Sequence, residues 1–250
     1  MTRFLKFCIV GGTGAIITWG LTWLFTERLG LWYMVSVIIA TGFAMINNFA
    51  WNSTWTFKTN VDPENPAYEW DAFYHGNPMQ RWWKHRIADY VWGFIPNQGK
   101  LLNVGCGSSP IAMHYPHSYN IDLDTAKLEF MHLRMPYAHF KQGNACSLEF
   151  LDASFDSVIC IEVIEHTPYP EKVVSEIARV LRVGGTAVIA TPDYAKMRWH
   201  VAEMFTPYKE WHGAKLTRTA VESLARANGL VPKECKYVAG CDLVEYFVKE

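Results

Sequence analysis

The sequence has no excess of charge of either sign, because 23 lysines and arginines are balanced by 24 aspartates and glutamates. This composition gives no sign of nucleic-acid binding, so no nucleic acid is expected as a partner. None of the six cysteines stands in the C-x-x-C spacing of a zinc cluster or a redox pair. Several lie in apolar runs, where cysteine behaves as a small hydrophobic residue, and we expect a reducing compartment without a disulfide framework.

Charged side chains are also missing from two long amino-terminal runs, residues 7–26 and 29–57. Each run is long enough for a helix to cross a hydrocarbon core of about 30 Å, which takes about 20 residues. The segment "ERLG" between them ends at Gly30 and is typical of a tight turn. The two runs therefore predict a transmembrane hairpin of two helices.

A cleaved signal peptide and a buried pair of soluble helices are the alternatives to this hairpin. The first run is longer than a signal-peptide core and a second run follows at once, while soluble helices would show a polar face. Arg3, Lys6 and Lys58 flank the hairpin, so both termini and the following domain are expected in the cytoplasm. Small residues in the runs predict close helix packing in lipid: Gly11, Gly12, Gly14, Gly20 and Gly42.

The stretches "RFLKFCIVGGTGAIITWGL" and "NNFAWNSTWTF" resemble the GtrA family over about residues 3–57. The resemblance implies a membrane module associated with polyprenyl-phosphate-linked sugars and polysaccharide biosynthesis. Members of that family usually have four spanning helices, and the two found here are compatible with a homodimer through the hairpin. Asn47, Asn48 and Asn52 would hydrogen-bond across the helices or to a lipid headgroup, or end the second helix.

Beyond the hairpin (residues 1–58), a polar and proline-containing linker is predicted over 59–69, followed by a second domain over 70–250. Residues 79–95 have apolar positions at helical spacing and predict an amphipathic helix at the start of this domain. Short apolar runs then alternate with helical patterns. One predicted helix ends at the glycine pair that starts with Gly184, and another begins with a Thr219-x-x-Glu222 capping box. This alternation predicts an α/β domain with a parallel sheet covered by helices on both faces.

Functional side chains are expected where the strands end, because ligands of open parallel sheets bind at the carboxyl ends of the strands. The first predicted strand ends in Gly105 and Gly107, which allow close backbone approach, and the second ends in Asp122, suited to ribose hydroxyls. The third ends at Asn144, whose amide suits an adenine edge. The pattern after Gly107 excludes a P-loop and the G-x-G-x-x-G fingerprint.

The segments "LLNVGCG", "NIDLD", "GNA", "SFDSVICIEVIEH" and "EIARVLRVGGTAVIATP" resemble class I S-adenosylmethionine-dependent methyltransferases over about residues 75–250. This resemblance implies a Rossmann-like sheet with flanking helices. It also implies a set of cofactor-binding residues. The glycine turn of Gly105, Cys106 and Gly107 would contact the methionine part, and Asp122 would hold the ribose. Asn144 and Ala145 would face the adenine, and Arg81 of a lid would meet the carboxylate. Asn103 and Asn144 stand where the family commonly has acids.

The fourth predicted strand ends in "EVIEH", which places Glu162, Glu165 and His166 at the mouth of the site. His166 is the expected general base and Glu165 its catalytic neighbour. One alternative is a Mg²⁺ or Zn²⁺ site formed by Glu162, Glu165, His166 and His212, like that of some methyltransferases that act on quinol precursors and RNA 3′ ends. The other is a hydrogen-bonded pair of Glu165 and His166 without metal.

Together these features predict an integral membrane methyltransferase that uses S-adenosylmethionine to methylate, most simply on oxygen, a lipid-linked or hydrophobic acceptor. A polyprenyl-linked sugar and a quinol-type ring are the two candidates, and the aromatic loop over residues 194–211 favours an apolar or ring-bearing molecule. We expect membrane lipid to surround the transmembrane hairpin. The alternative function is a GtrA-like module of polysaccharide synthesis or translocation that carries a non-catalytic cofactor-binding domain.

Overall fold

The structure is a computed structural model that describes residues 3–52, 65–96, 98–197 and 213–250. These residues belong to two compact units, residues 3–52 in the first and the remaining described residues in the second. Most of the predicted linker, much of the aromatic loop and His212 lie outside the described residues.

The first unit is the predicted hairpin. Helix α1 (Arg3–Trp23) continues into one π-helical turn (Leu24–Arg28), and α2 (Tyr33–Trp51) returns beside it. Gly30 lies between them with φ of 66°, a left-handed conformation that glycine adopts without steric cost. Both helices are long and apolar enough to cross a membrane.

One glycine and two asparagines account for the close contact of the two helices. A Cβ atom on Gly14 would lie 2.5 Å from Oδ1 of Asn48, so the asparagine side chain occupies the space that glycine leaves. Asn47 donates a hydrogen bond from Nδ2 to Oγ1 of Thr13 at 3.1 Å across the pair. At Gly11, Gly12, Gly20 and Gly42 nothing among the described residues lies within 4 Å of such a Cβ atom, so these glycines do not mediate the contact between α1 and α2.

The second unit is an α/β domain. Its helices are α3 (Tyr68–Tyr74), α4 (Pro78–Phe94), α5 (Thr125–His132), α6 (Pro170–Val180) and α7 (Arg218–Ala227). Its strands are β1 (Leu101–Val104), β2 (Tyr119–Asp122), β3 (His139–Gln142), β4 (Phe155–Ile161), β5 (Leu181–Pro192), β6 (Leu230–Val238) and β7 (Asp242–Lys249). They form one sheet in the order β3-β2-β1-β4-β5-β7-β6.

The sheet is mixed rather than fully parallel. Strands β1 to β5 run parallel, and β7 pairs antiparallel with both β5 and β6. The reversal follows from the short turn between β6 and β7, where Ala239 and Gly240 have φ of 50° and 74°. A turn this short can only return the chain antiparallel, because a parallel connection needs a crossover of a dozen or more residues.

Helices cover both faces of the sheet, as predicted. Leu101 and Leu102 are neighbours on β1 and belong to separate apolar clusters, because successive side chains of a strand point to opposite faces. The cluster of Leu102 contains the buried faces of α6 and α7, and the cluster of Leu101 contains that of α4. The carboxyl ends of β1 to β4 are therefore held at one edge of a packed core.

Capping side chains and strand pairing determine where helices α4, α6 and α7 begin or end. Helix α4 begins at Pro78 because Oδ1 of Asn77 accepts a hydrogen bond from the Gln80 amide at 2.9 Å. Helix α7 is capped by Thr217, which accepts from the Ala220 amide, and not by Thr219 as predicted. Helix α6 ends at Val180, before the predicted glycine stop, because Leu181 already pairs with Phe155 in the sheet.

Candidate cofactor and acceptor site

A cavity of about 840 Å³ opens at the carboxyl ends of β1 to β4. Its volume lies in the range of small-molecule and cofactor sites. Each of these strands contributes the residues that follow it, and α3 and α4 add a further wall. The residues that line the cavity include Tyr68, Glu69, Phe73, Lys84, Asn103, Gly105, Cys106, Gly107, Asp122, Lys127, Asn144, Ala145, Glu162, Val163, His166, Tyr169 and Lys172.

The turn after β1 needs its glycines for two separate reasons. Gly105 and Gly107 have φ of 66° and 48°, which side chains disfavour. A Cβ atom on Gly105 would overlap the side chain of Val163, and one on Gly107 would lie 3.0 Å from the carboxyl group of Glu69. The turn therefore brings bare backbone to the cavity wall, which is the cradle predicted for the methionine part of a cofactor.

Asp122 ends β2 and fixes the glycine turn to that strand. Its Oδ2 accepts a hydrogen bond from the Gly107 amide at 2.7 Å, and its Oδ1 accepts one from the Asp124 amide at 2.9 Å. Each carboxylate oxygen has two lone pairs, so acceptor capacity toward the cavity is left. This geometry fits the predicted contact with ribose hydroxyls.

Of the remaining residues predicted to bind the cofactor, three line the cavity and one does not. Cys106, Asn144 and Ala145 line the cavity, and Oδ1 of Asn144 accepts from the Cys146 amide at 2.9 Å. Burial raises the pKa of the Cys106 thiol well above its usual range, and the nearby charges of Asp122 and Glu69 add to this. Arg81 is exposed on α4 and is not among the cavity residues. Lys84, one helical turn later on α4, lines the cavity.

Glu69 is a cavity residue that the sequence interpretation missed. Its carboxylate accepts hydrogen bonds from the amide of Ser108 at 3.0 Å, from the Ser108 hydroxyl, and from Nζ of Lys127 at 2.7 Å. Burial opposes ionisation of this carboxyl, but the Lys127 charge and these hydrogen bonds outweigh it and hold the pKa of Glu69 below its usual value. Glu69 is therefore an anion at the glycine turn.

Glu162 follows β4 directly and is ion-paired with Lys84 of α4. Its φ of 55° is uncommon for a residue other than glycine, and its amide donates to the carbonyl of Ala190 at 2.9 Å. This backbone conformation turns the chain away from the sheet at the cavity. Such outliers concentrate at functional sites, where surrounding structure holds them in place.

Glu165 and His166 point to different environments, although they are adjacent in the sequence. His166 is exposed and lines the cavity. Glu165 is buried and is not among the cavity residues, and its Oε2 has no hydrogen-bond partner within the described part of the chain. Burial raises the pKa of Glu165 well above its usual range, and the charges of Glu162 and Asp242 reinforce the shift. Glu165 therefore lies behind the cavity wall, in surroundings that oppose its ionisation.

The structure does not support the predicted metal site. Among the described residues, no group of three or more His, Cys, Asp or Glu side chains is arranged to hold a metal ion. Glu162 pairs with Lys84, and Glu165 is buried behind the wall that His166 lines. The proposed fourth ligand, His212, lies outside the described residues.

Two family models match this chain. Residues 102–189 match the model described as "Methyltransferase domain", and residues 6–75 match the model described as "GtrA/DPMS, transmembrane domain". The chain carries a methyltransferase domain together with a GtrA/DPMS transmembrane domain. Both resemblances predicted from the sequence are confirmed, and the second match reaches past the hairpin to include α3.

Curated relatives match stretches of different length in this chain. The ubiquinone biosynthesis O-methyltransferase of Idiomarina loihiensis is 30% identical over 165 residues, 57% of this chain and 65% of that protein. The phosphatidylethanolamine N-methyltransferase of Cereibacter sphaeroides is 38% identical over 101 residues, 36% of this chain and 49% of that protein. The dolichol-phosphate mannosyltransferase of Pyrococcus furiosus is 45% identical over 56 residues, 22% of this chain and 16% of that protein. The chain thus spans less than two thirds of the length of each.

Solved structures agree with the fold. A protein from Pyrococcus horikoshii superposes with a TM-score of 0.62 at 19% identity, covering 74% of this chain and 96% of that chain. A SAM-dependent methyltransferase from Methanosarcina mazei superposes with a TM-score of 0.54 at 17% identity, covering 64% and 96%. At this identity the likeness is one of fold.

Proposed function

We propose that this protein is a membrane-anchored S-adenosylmethionine-dependent methyltransferase that methylates an oxygen of a lipid-linked or lipid-soluble acceptor. The observation that carries the proposal is the single cavity wall that joins the glycine turn and Asp122 to Glu162 and His166. A cofactor-binding half and a proton-accepting half therefore face the same space. An in-line displacement needs this arrangement, because donor and nucleophile must be held in contact and aligned.

The cofactor half is formed by backbone and by short polar side chains. The turn from Gly105 to Gly107 would hold the methionine part, Asp122 the ribose, and Asn144 with Ala145 the adenine. When bound, S-adenosylmethionine supplies an electrophilic methyl group on a sulfonium. The protein contributes the cavity wall and the orientation of the two reactants.

The acceptor half contains the proposed base. His166 is exposed to the cavity, so its imidazole is placed to take the proton from an acceptor hydroxyl as that oxygen is methylated. Glu165 is buried behind the wall and does not line the cavity, so we assign it to the support of this turn rather than to proton acceptance. The Lys84–Glu162 pair borders the same space and fixes α4 against the end of β4.

The acceptor class is inferred from the transmembrane hairpin and from the cavity wall. Phe73 and Tyr169 give apolar and aromatic surface to the cavity, which suits a ring or a lipid-borne group. The relatives named for ubiquinone biosynthesis, phosphatidylethanolamine methylation and dolichol-phosphate mannosyl transfer support a lipid-borne acceptor. The proposal places the methyltransferase domain on the cytoplasmic side, and the homodimer through the hairpin stays a prediction.

Calorimetry of the full-length protein in detergent tests cofactor binding directly. We expect a micromolar or tighter isotherm with S-adenosylmethionine, and its absence would overturn the proposal. Membranes from cells with and without the gene are then incubated with the protein and methyl-deuterated S-adenosylmethionine. Mass spectrometry of the extracted lipids should show one lipid class that gains the labelled methyl group.

The second candidate is a membrane module of polysaccharide synthesis with a non-catalytic cofactor-binding domain. The match of residues 6–75 to the GtrA/DPMS transmembrane domain and the 45% identity over 56 residues to a dolichol-phosphate mannosyltransferase favour it. The same two experiments separate the candidates. Cofactor binding without label transfer to any lipid, in membranes that contain the protein's own acceptors, would support this candidate instead.

A further inference from the structure

The carboxylate of Glu69 reaches the glycine turn from outside the sheet. Glu69 lies on α3, which precedes β1 in the chain, and it touches Ser108 beyond the turn and Lys127 on α5. Its own amide also donates to Oγ of Ser108 at 3.1 Å. Four contacts therefore hold one anionic residue at this wall, and its side chain still keeps 23% of its surface exposed.

Strand β1, which leads into the glycine turn, does not supply a carboxylate to this part of the cavity wall. Asn103 of β1 lines the cavity with a neutral amide, and its Nδ2 donates to Oδ1 of the buried Asn120 at 3.2 Å. Asn103 is thus committed to the neighbouring strand and carries no charge. The methionyl end of S-adenosylmethionine carries an ammonium, which a carboxylate stabilises more strongly than a neutral amide does.

We propose that Glu69 is the binding residue for the methionyl ammonium of the cofactor and supplies from α3 the negative charge that Asn103 does not provide. This inference rests on the proposed function. The contacts of Glu69 with Ser108 and Lys127 set the direction of its carboxylate beside the bare backbone of Gly107. Each carboxylate oxygen accepts more than one hydrogen bond, so these contacts leave room for a ligand donor.

Helix α3 then belongs to the cofactor site as well as to the segment that leads from the hairpin. Tyr68, Glu69 and Phe73 all line the cavity, and all three lie inside the region that matches the GtrA/DPMS transmembrane domain. Residues after the hairpin thus form part of the wall around the methionyl group. We expect cofactor binding to protect residues 65–75 from hydrogen–deuterium exchange in the full-length protein.

Three ligands test this assignment with the Glu69→Gln variant of the full-length protein in detergent. S-Adenosylmethionine and S-adenosylhomocysteine both carry the methionyl-type ammonium, whereas 5′-methylthioadenosine keeps the adenosine and lacks the amino-acid part. By calorimetry we expect Glu69→Gln to weaken the first two by about tenfold or more, the usual effect of losing a hydrogen bond to a charged group. The affinity for 5′-methylthioadenosine should change by less than about twofold.

Asp71→Asn is the matched control, because it makes the same change of charge on the same helix at a residue that is not among the cavity residues. It should bind all three ligands as the wild type does. Ser108→Ala provides a second variant if Glu69→Gln fails to fold, since it removes both contacts of the Ser108 hydroxyl with Glu69 and keeps the hydrogen bond from the Ser108 amide. It should weaken S-adenosylmethionine several-fold and leave 5′-methylthioadenosine unchanged.

Two results would overturn the inference. One is wild-type affinity of Glu69→Gln for S-adenosylmethionine, and the other is an equal loss for all three ligands, which would mean a purely structural role. These outcomes differ from a failure of the proposed function, in which the wild-type protein itself would bind no S-adenosylmethionine.

Discussion

Trp83 donates a hydrogen bond from Nε1 to Oδ2 of Asp242 at 2.7 Å, and this bond joins α4 to the first residue of β7. Asp242 is 1% exposed, and its other oxygen has no hydrogen-bond partner within the described residues. Burial raises the pKa of Asp242 to about 7, and the charge of Glu162 adds to the shift against the opposing effects of Trp83 and Lys84. The wall of α4 is therefore attached to a carboxyl group that titrates near neutral pH.

This carboxyl should make the second unit less stable as the pH rises. Between pH 3.8 and about 7 the unfolded chain has lost the Asp242 proton while the folded protein keeps it, so stability falls as pH rises through this window. The slope from this group is at most about 1.4 kcal/mol per pH unit. We expect Asp242→Asn to gain stability relative to the wild type from pH 4 to pH 7 and to hold that gain above it.

Hydrogen–deuterium exchange of the β5 and β7 amides in the full-length protein measures this difference at each pH. Asp89→Asn is the control, because Asp89 is exposed on α4 with a loose 3.9 Å contact to Arg86. A constant difference between Asp242→Asn and the wild type across the window would contradict the prediction.

The glycine turn gives a prediction about steric fit. Gly105→Ala should lose at least tenfold in affinity for S-adenosylmethionine, because the new methyl group would overlap Val163 at a φ of 66°. The double variant with Val163→Ala should recover part of the loss, since it removes the clash and leaves only the backbone cost. Calorimetry of both variants measures the clash and the backbone cost separately.

Gly184→Ala is the matched control for the backbone cost. Gly184 has φ of 76°, and within the described part of the chain nothing lies within 4 Å of the position that a methyl group would take. This variant therefore adds strain of about 1 kcal/mol without a clash. It should bind the cofactor as the wild type does. Equal affinity of Gly105→Ala and the double variant would show that Val163 does not restrict the turn.

The strand ends were predictable from the sequence because they depend on local pattern. Apolar runs that stop at glycines or acids place Gly105, Asp122, Asn144 and His166 at one edge of a parallel sheet, and the structure brings these four residues to one cavity. Pro110 and Pro116, between Gly107 and Asp122 in the sequence, predict a short helix after the glycine turn, and a single 3₁₀ turn over Pro110–His114 is found there.

What the sequence could not supply are contacts between distant segments. Glu69 meets Lys127 across 58 positions of the chain and Trp83 meets Asp242 across 159, and no periodicity encodes either pair. The burial of Glu165 beside the exposed His166 depends on a single 3₁₀ turn, which apolar patterns do not resolve. The β6–β7 hairpin did leave a signal at Ala239-Gly240-Cys241, which the sequence interpretation overlooked.

The hairpin offers a test that needs no substrate. Gly14→Ala should loosen the pair of membrane helices, because its methyl group would lie within 3 Å of the Asn48 side chain. Gly20→Ala is the control, since no described residue lies within 4 Å of its methyl position. Thermal loss of helicity of the hairpin in detergent should begin at a lower temperature for Gly14→Ala alone. Identical melting of the two variants would contradict a close contact at Gly14.

The last prediction concerns the proton that His166 would take from the acceptor hydroxyl. His166→Asn should lower the rate of methyl transfer to an oxygen acceptor by about 100-fold or more, the usual contribution of a general base, and should leave the affinity for S-adenosylmethionine within about twofold. The two effects separate because His166 follows β4 whereas the cofactor cradle follows β1 and β2. His117→Asn is the control, since His117 is exposed and is not among the cavity residues. A matching loss of rate and cofactor affinity in His166→Asn would assign this histidine to cofactor binding, and an unchanged rate would remove it from the reaction.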